Sequence, residues 1–242
     1  MAHRYFTQNI AGKQAVLLGQ QAAHLARVLR VKPGDALILC DGKGTDYEAV
    51  VQTASLEEVS LQIIKSYPSK VEADVKVHLF LGYAKSDRME WAIQKSVELG
   101  VYSITPFFSE KCIVRPAREE EKNKRMCRIV EAAAQQSGRG IVPQVGMPLS
   151  YSQMIQQATA YNPALFFYEG GGLSLSEAIP KQAANTQIAL ITGAEAGFTP
   201  AEAEEAEKSG CILATLGPRI LRCETAPVAA LAAIMALTGN LQ

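Results

Sequence analysis

The sequence predicts an α/β protein: a small β-rich unit at the amino terminus, then a mostly parallel sheet with helices on both faces. Three observations carry that reading. Short, uniformly apolar runs such as Ala164-Leu165-Phe166-Phe167-Tyr168 and Ile188-Ala189-Leu190-Ile191 suit strands buried on both faces of a parallel sheet. From about residue 73 such runs alternate with stretches of helical periodicity. Before residue 70 the pattern is one of short β-rich runs separated by Gly/Asp turns. A chain of 242 residues, 48% hydrophobic and 20% charged, suffices for a small and a medium domain, and the change of pattern divides it into 1–70 and 73–242.

In the first unit, Ala22, Leu25, Val28 and Leu29 recur at helical spacing, and Pro33-Gly34 stops that helix. Ala36-Leu37-Ile38-Leu39-Cys40 reads as a strand, Asp41-Gly42-Lys43-Gly44 as a turn, and Tyr47–Thr53 and Val59–Ile64 as further strands. Tyr67-Pro68-Ser69 reads as a linker. In the second unit, Val75–Leu81 is a strand, and a helix capped by Ser86 or Asp87 carries Met89, Ile93 and Val97 and ends at Gly100. Ile104–Phe108 is a strand, and Glu119–Gln136 a long helix with Gly138 as its C-cap. Thr199-Pro200-Ala201-Glu202 is a capping box with proline at the first helical position. Cys211–Leu216 is a strand, and Thr225 opens a last helix. That helix, Ala226–Leu237, is apolar on nearly every face and must be buried, in the core or against a second subunit.

Composition narrows the function classes. The apolar run Ala226–Leu237 is too short for the ~20 residues of a membrane span, and no apolar leader follows Met1-Ala2-His3-Arg4, so a cytoplasmic protein is expected. Five scattered cysteines without a Cys-x-x-Cys pair suit a reducing compartment, and three histidines without ligand spacing predict no metal site. The net charge is zero, which argues mildly against nucleic-acid binding. Yet Lys111, Arg115, Arg118, Lys122, Lys124, Arg125 and Arg128 cluster, broken only by Glu119-Glu120-Glu121, while Glu202, Glu204, Glu205 and Glu207 gather elsewhere, so a basic face fits inside a neutral total.

Four segments carry candidate chemistry. Gly193-Ala194-Glu195-Ala196-Gly197 follows a buried strand, where ligands bind in open α/β sheets; the plain alternative is an ordinary strand-to-helix turn. Leu216 to Ala226 places Gly217-Pro218, Arg219, Arg222 and Glu224 before the last helix. The arginines can hold phosphate or stabilise developing negative charge, and Glu224 can cap the helix, pair with an arginine or act as a base. Lys85 and Arg88 stand at a helix start, and Arg139 follows Gly138, either to bind RNA or to complement a helix dipole.

These segments resemble the SPOUT class of RNA methyltransferases, and within it the RsmE family, which methylates N3 of a uridine in 16S rRNA. His24-Leu25-Ala26-Arg27-Val28-Leu29-Arg30, Gly34-Asp35 and Asp41–Gly44 are similar to that family's amino-terminal domain. Lys85, Arg88-Met89-Glu90, Gln94-Lys95, Glu98-Leu99-Gly100, Gln136-Ser137-Gly138-Arg139 and Leu216–Ala226 match its later blocks in order. The resemblance implies a PUA-like β-barrel used for RNA, a SPOUT domain whose last segment threads a deep trefoil knot, and a homodimer packed through the knot region. It also implies S-adenosyl-L-methionine (SAM) as cofactor and 16S rRNA, in the assembled 30S subunit, as substrate. The expected SAM contacts are Tyr168, Glu169, Thr192, Gly193, Glu195, Gly197, Leu216, Gly217, Ile220, Leu221, Arg222, Thr225 and Ala226. Glu195 or Glu224 is expected to take the N3 proton, and Arg222 to stabilise the uracil anion. Arg4, Arg30, Lys85, Arg88, Arg115, Arg118 and Arg139 are the expected RNA contacts.

One departure stands out. The family reads Gly-Pro-Glu-Gly-Gly where this chain has Gly193-Ala194-Glu195-Ala196-Gly197. A positive φ at Ala196 would cost ~1 kcal/mol. A non-catalytic RNA-binding module of the same fold, or a nucleotide-binding α/β enzyme acting on a small molecule, are the rival readings.

Overall fold

The computed structural model describes residues 4–179 and 185–241. His3 lies outside them. The chain forms two compact units: Met1–Glu72 with Ala134–Val142, and Ala73–Ala133 with Pro143–Gln242. The linear division at residues 70–73 is therefore incomplete, because a segment from the middle of the chain joins the first unit.

The first unit contains β1 (Arg4–Phe6), β2 (Ile10–Ala11), β3 (Gln14–Leu18), α1 (Gly19–Ala23), β4 (Ala36–Cys40), β5 (Thr45–Ala54) and β6 (Glu58–Pro68). They form one six-stranded sheet in the order β1-β4-β5-β6-β3-β2. Alternate residues face a shared core: Leu37 and Leu39, Ala49 and Val51, Val59, Leu61 and Ile63, Ala15 and Leu17. Strands from both ends of the sheet enter that core, and the Thr7 hydroxyl, just past β1, donates to the Val16 carbonyl of β3 at 2.9 Å. The sheet is thus curled on itself. The segment read as a linker is strand instead: Tyr67 and Pro68 pair with Asp46 and Thr45.

After α1 the helix continues as a π-helix over His24–Leu29 and ends with Arg30 at φ 52°. The wider i→i+5 turn brings Leu29 rather than Val28 back toward Leu25. Leu25 is buried and Leu29 packs on the core, whereas Val28 is 63% exposed. Helical spacing placed Val28 inside because it assumed an α-helical period.

The returning segment is held by charge. Arg139 is 5% exposed and bonds Glu72 through Nε at 3.0 Å and through its terminal nitrogen at 2.6 Å. The same carboxylate accepts the amides of Gly140 and Ile141 at 2.7 and 3.1 Å. The amides of Gly44 and Val142 bond the carbonyls of Gly140 and Gly42, each at 3.0 Å. Arg4 pairs with Asp46 and bonds Ser69 Oγ and the Gly138 carbonyl.

The second unit contains β7 (Lys76–Gly82), α2 (Ser86–Glu98), β8 (Ser103–Phe108), α3 (Glu119–Ser137), β9 (Gln144–Val145), β10 (Leu149–Ser150), α4 (Tyr151–Ala158), β11 (Ala164–Phe167), β12 (Leu173–Ser174), α5 (Leu175–Ala178), β13 (Gln187–Thr192), α6 (Pro200–Lys208), β14 (Ile212–Thr215) and α7 (Thr225–Leu237), with the last turn of α3 lying in the first unit. The sheet runs β10-β8-β7-β13-β11-β14-β12, with β9 beside β8, and its pairings are parallel. On one face Phe80, Phe107, Phe166 and Ile191 pack against Met154 and Ile155 of α4 and Ala203 and Ala206 of α6. Alternation sends Leu79 and Leu190 to the other face, where α7 lies over β7 and β13 and meets α2. Thr199 and Glu202 form the expected capping box with Pro200 at the start of α6. The start of α2 departs from expectation: Lys85 is its N-cap, without a side-chain bond.

At the amino-terminal edge of this sheet, His78 is buried, stacks on Tyr161 with centroids 3.9 Å apart, and meets Tyr102 edge-on. Its Nε2 faces Gln187 Oε1 at 3.1 Å and its Nδ1 faces Ser103 Oγ at 2.7 Å. Gln187 Oε1 only accepts, so the neutral ring carries its proton on Nε2. Burial pushes the His78 pKa below the ordinary 6.5, and nearby Lys76 adds to the effect against the bond to Gln187. A depressed native pKa stabilises above the unfolded value, and that stability is lost as pH falls through the native one. The urea midpoint should therefore fall on acidification below about pH 6.5, and His78→Gln should flatten that dependence.

Candidate active site

Parallel register places the carboxyl ends of β13, β11 and β14 side by side, with Phe167 paired to Thr192 on one side and to Ala214 on the other. Their following loops, Tyr168–Gly171, Gly193–Phe198 and Leu216–Cys223, enclose a cleft of about 910 Å³. Clefts of this size hold small molecules and cofactors.

The Gly193 loop is a tight turn closed by the Gly197 amide bonding the Ala194 carbonyl at 3.0 Å. Gly197 has φ 61°, and a Cβ there would lie 2.5 Å from Glu169 Oε1. The positive φ favours glycine, and any Cβ there would also push the Glu169 carboxylate aside. Ala196 does not share that φ; among the described residues only Arg30 and Asn185 are non-glycines at positive φ. The cost expected for Ala196 is absent. Its position is the third of a turn whose fourth residue is glycine, a place open to most residues. Ala194 is buried, and Lys111 Nζ braces the far end of the loop through the Phe198 carbonyl at 3.0 Å.

Two residues that line the cleft carry buried side-chain oxygens without partners among the described residues. Thr192 is 1% exposed and its hydroxyl has no bond, and Glu195 Oε2 is buried and equally unpaired. Glu195 Oε1, by contrast, accepts the Lys85 amide at 3.0 Å and lies 3.5 Å from Arg88. Unpaired buried oxygens are costly unless a ligand meets them. Glycine backbone, apolar Leu216, Ile220 and Leu221, and these waiting acceptors make a lining suited to a nucleoside with a polar tail.

Cys223 lines the cleft; its thiol donates to Glu224 Oε2 at 3.2 Å and lies in reach of Arg88. Burial, with Glu224 and Glu195 nearby, pushes the Cys223 pKa up to about 11, so it stays a thiol. Burial also works to raise the Glu224 pKa, but its own backbone amide, the Cys223 thiol, Arg88 and Arg222 outweigh it and hold the carboxyl below its usual range. Glu224 occupies the N-cap of α7 without a capping side-chain bond, and Arg222 is exposed on the cleft.

Of the expected cofactor residues, Thr225 lies outside the lining and the other twelve line the cleft; Glu224, expected in catalysis, also stands behind it. Arg88 lines it unforeseen: a helix start more than 100 positions earlier in the chain carried no local signal of this proximity. The expected RNA contacts divide. Arg30, Lys85, Arg115 and Arg118 are exposed, with Arg115 stacked 5.0 Å over the Phe108 ring. Arg4 and Arg139 are spent on Asp46 and Glu72, so their guanidinium groups are not offered to a ligand. Among the described residues no cluster of three or more His, Cys, Asp or Glu side chains gathers to hold a metal, and no helix is long and apolar enough to cross a membrane.

Comparison with known proteins agrees with this geometry. Residues 71–235 match the model of an RNA methyltransferase domain, and residues 17–64 that of an RNA methyltransferase PUA domain. The ribosomal RNA small subunit methyltransferase E of Bacillus subtilis is 33% identical over 90% of this chain and 88% of its own length. That of Mesomycoplasma hyopneumoniae is 38% identical over 69% of this chain and 72% of its own. The crystal structure of a ribosomal RNA small subunit methyltransferase E from Neisseria gonorrhoeae, bound to S-adenosyl methionine, superposes with a TM-score of 0.86 at 32% identity, covering 98% of each chain. With its PUA-like amino-terminal unit and parallel α/β sheet, the chain belongs to the ribosomal RNA small subunit methyltransferase E family.

Proposed function

We infer that this chain transfers a methyl group from SAM to N3 of a uridine in 16S rRNA, within the assembled 30S subunit and as a cytoplasmic homodimer. The observation that carries the reading is the three-loop cleft, with a glycine cradle and two lining residues, Thr192 and Glu195, that each carry a buried unpartnered oxygen. A relative alike over nearly its whole length binds SAM. SAM supplies an electrophilic methyl on a sulfonium, so the protein's task is orientation and proton removal.

Uridine N3 is occupied in a base pair, so the base must be unpaired or flipped to reach the cleft. Glu195 Oε2 is the acceptor we assign to the N3 proton, because Glu195 lines the cleft and Glu224 does not. Arg222, exposed on the rim, is assigned to the uracil anion. Arg30, Lys85, Arg115 and Arg118 are assigned to the RNA backbone. The second face of α7, where Ala232 and Ala233 are half-buried and Ala236 exposed, suits close packing of a partner subunit. The return of β14 beside β11, after β13 has formed on its other side, is compatible with the trefoil threading we assign to the last segment.

The test is transfer from labelled SAM to 30S subunits lacking the modification, followed by nucleoside mass spectrometry. The expected product is 3-methyluridine. Folded protein that binds SAM and the subunit yet transfers nothing would overturn the reading and favour a binding module.

A further inference from the structure

Arg88 looks, from the sequence, like an RNA contact, yet the fold turns it toward the cleft. Glu195 sits on the loop after β13, and its Oε1 is engaged by two groups from the start of α2: the Lys85 amide at 3.0 Å and Arg88 at 3.5 Å. Glu195 lines the cleft, and its other oxygen is buried without a partner among the described residues. One oxygen fixed and one free is the arrangement a proton acceptor needs, since a carboxylate free to rotate divides its time among unproductive orientations. We propose that Arg88 is a positioning residue: with the Lys85 amide it clamps Glu195 Oε1 so that Oε2 is presented to the imide N–H of the substrate base. This rests on Glu195 being the acceptor. The step balances: the imide proton moves to Oε2, the N3 electron pair forms the N–CH3 bond, and the sulfonium–methyl bond breaks to release a neutral sulfide.

The experiment is a double-mutant cycle of Arg88→Ala and Glu195→Gln, read by single-turnover methyl transfer, SAM calorimetry and RNA affinity across salt. Glu195→Gln should slow transfer by about 10²–10⁴-fold at saturating SAM, with RNA affinity little changed. Arg88→Ala alone should slow it by at least about 10-fold without altering RNA affinity or its salt slope. In the Glu195→Gln background Arg88→Ala should cost less than about 2-fold, because the residue it positions is gone. Arg88→Lys, which keeps the charge, should recover part of the rate and serves if the alanine variant folds poorly. If Glu195→Gln turns over normally, the acceptor assignment fails and the clamp with it. If Glu195→Gln collapses but the Arg88 effect multiplies with it, the clamp alone is overturned. Weaker RNA binding with a salt slope reduced by about one would make Arg88 a phosphate contact instead.

Discussion

Glu72→Ala is expected to destabilise the amino-terminal unit by about 3–5 kcal/mol, the cost of breaking a buried ion pair by removing one side of it. Arg139 has only 5% of its side chain exposed, so water cannot replace the lost carboxylate. The change also strips the acceptor from the amides of Gly140 and Ile141. Glu72→Gln should be milder, since its carbonyl still accepts those amides while the charge is lost. Hydrogen exchange is the direct measurement: protection at residues 139–142 and at the Gly44 amide, which bonds Gly140, should fall together in the alanine variant. Unchanged protection would mean that the pair contributes nothing to holding the returning segment.

Gly82→Ala is expected to reduce methyl transfer by about 10²-fold, the penalty for roughly 1 Å of misplacement at a reacting centre. A Cβ at this position would lie 2.3 Å from the Ala194 amide nitrogen and 2.5 Å from the Gly193 carbonyl carbon. Both obstacles are backbone, so β7 and the cofactor loop must separate. Overpacking of this kind costs about 1–3 kcal/mol, and SAM calorimetry should show weaker binding alongside a lower melting temperature. Ala196→Gly, in contrast, should leave SAM affinity within about 2-fold, because Ala196 is exposed and its φ is not positive. A gain in affinity from that glycine would show that the turn is strained after all.

The sequence determined most of the architecture, because the relevant information is local. Uniformly apolar runs marked β11 and β13 as buried strands, since a strand covered on both faces has no polar side to show. Thr199-Pro200-Ala201-Glu202 marked the start of α6, since a capping box needs only residues three apart. Glycine-bearing loops after successive strands marked the cleft, since parallel strands deliver their carboxyl ends to one edge. Local patterns mislead where a different geometry uses the same residues: Val28 is outside because the helix is π-wound there, and Tyr67-Pro68 is strand because Asp46 and Thr45 happen to pair with it.

What only the tertiary structure decided is which charged residues are free. Arg4, Arg88 and Arg139 read alike in the sequence, as expected RNA contacts. In the fold, Arg139 is consumed by Glu72, Arg4 by Asp46, and Arg88 is turned onto Glu195. Their partners lie between 42 and 107 positions away along the chain. An ion pair depends on distance through space and on exclusion of water, and neither quantity is written in the spacing of residues along a chain.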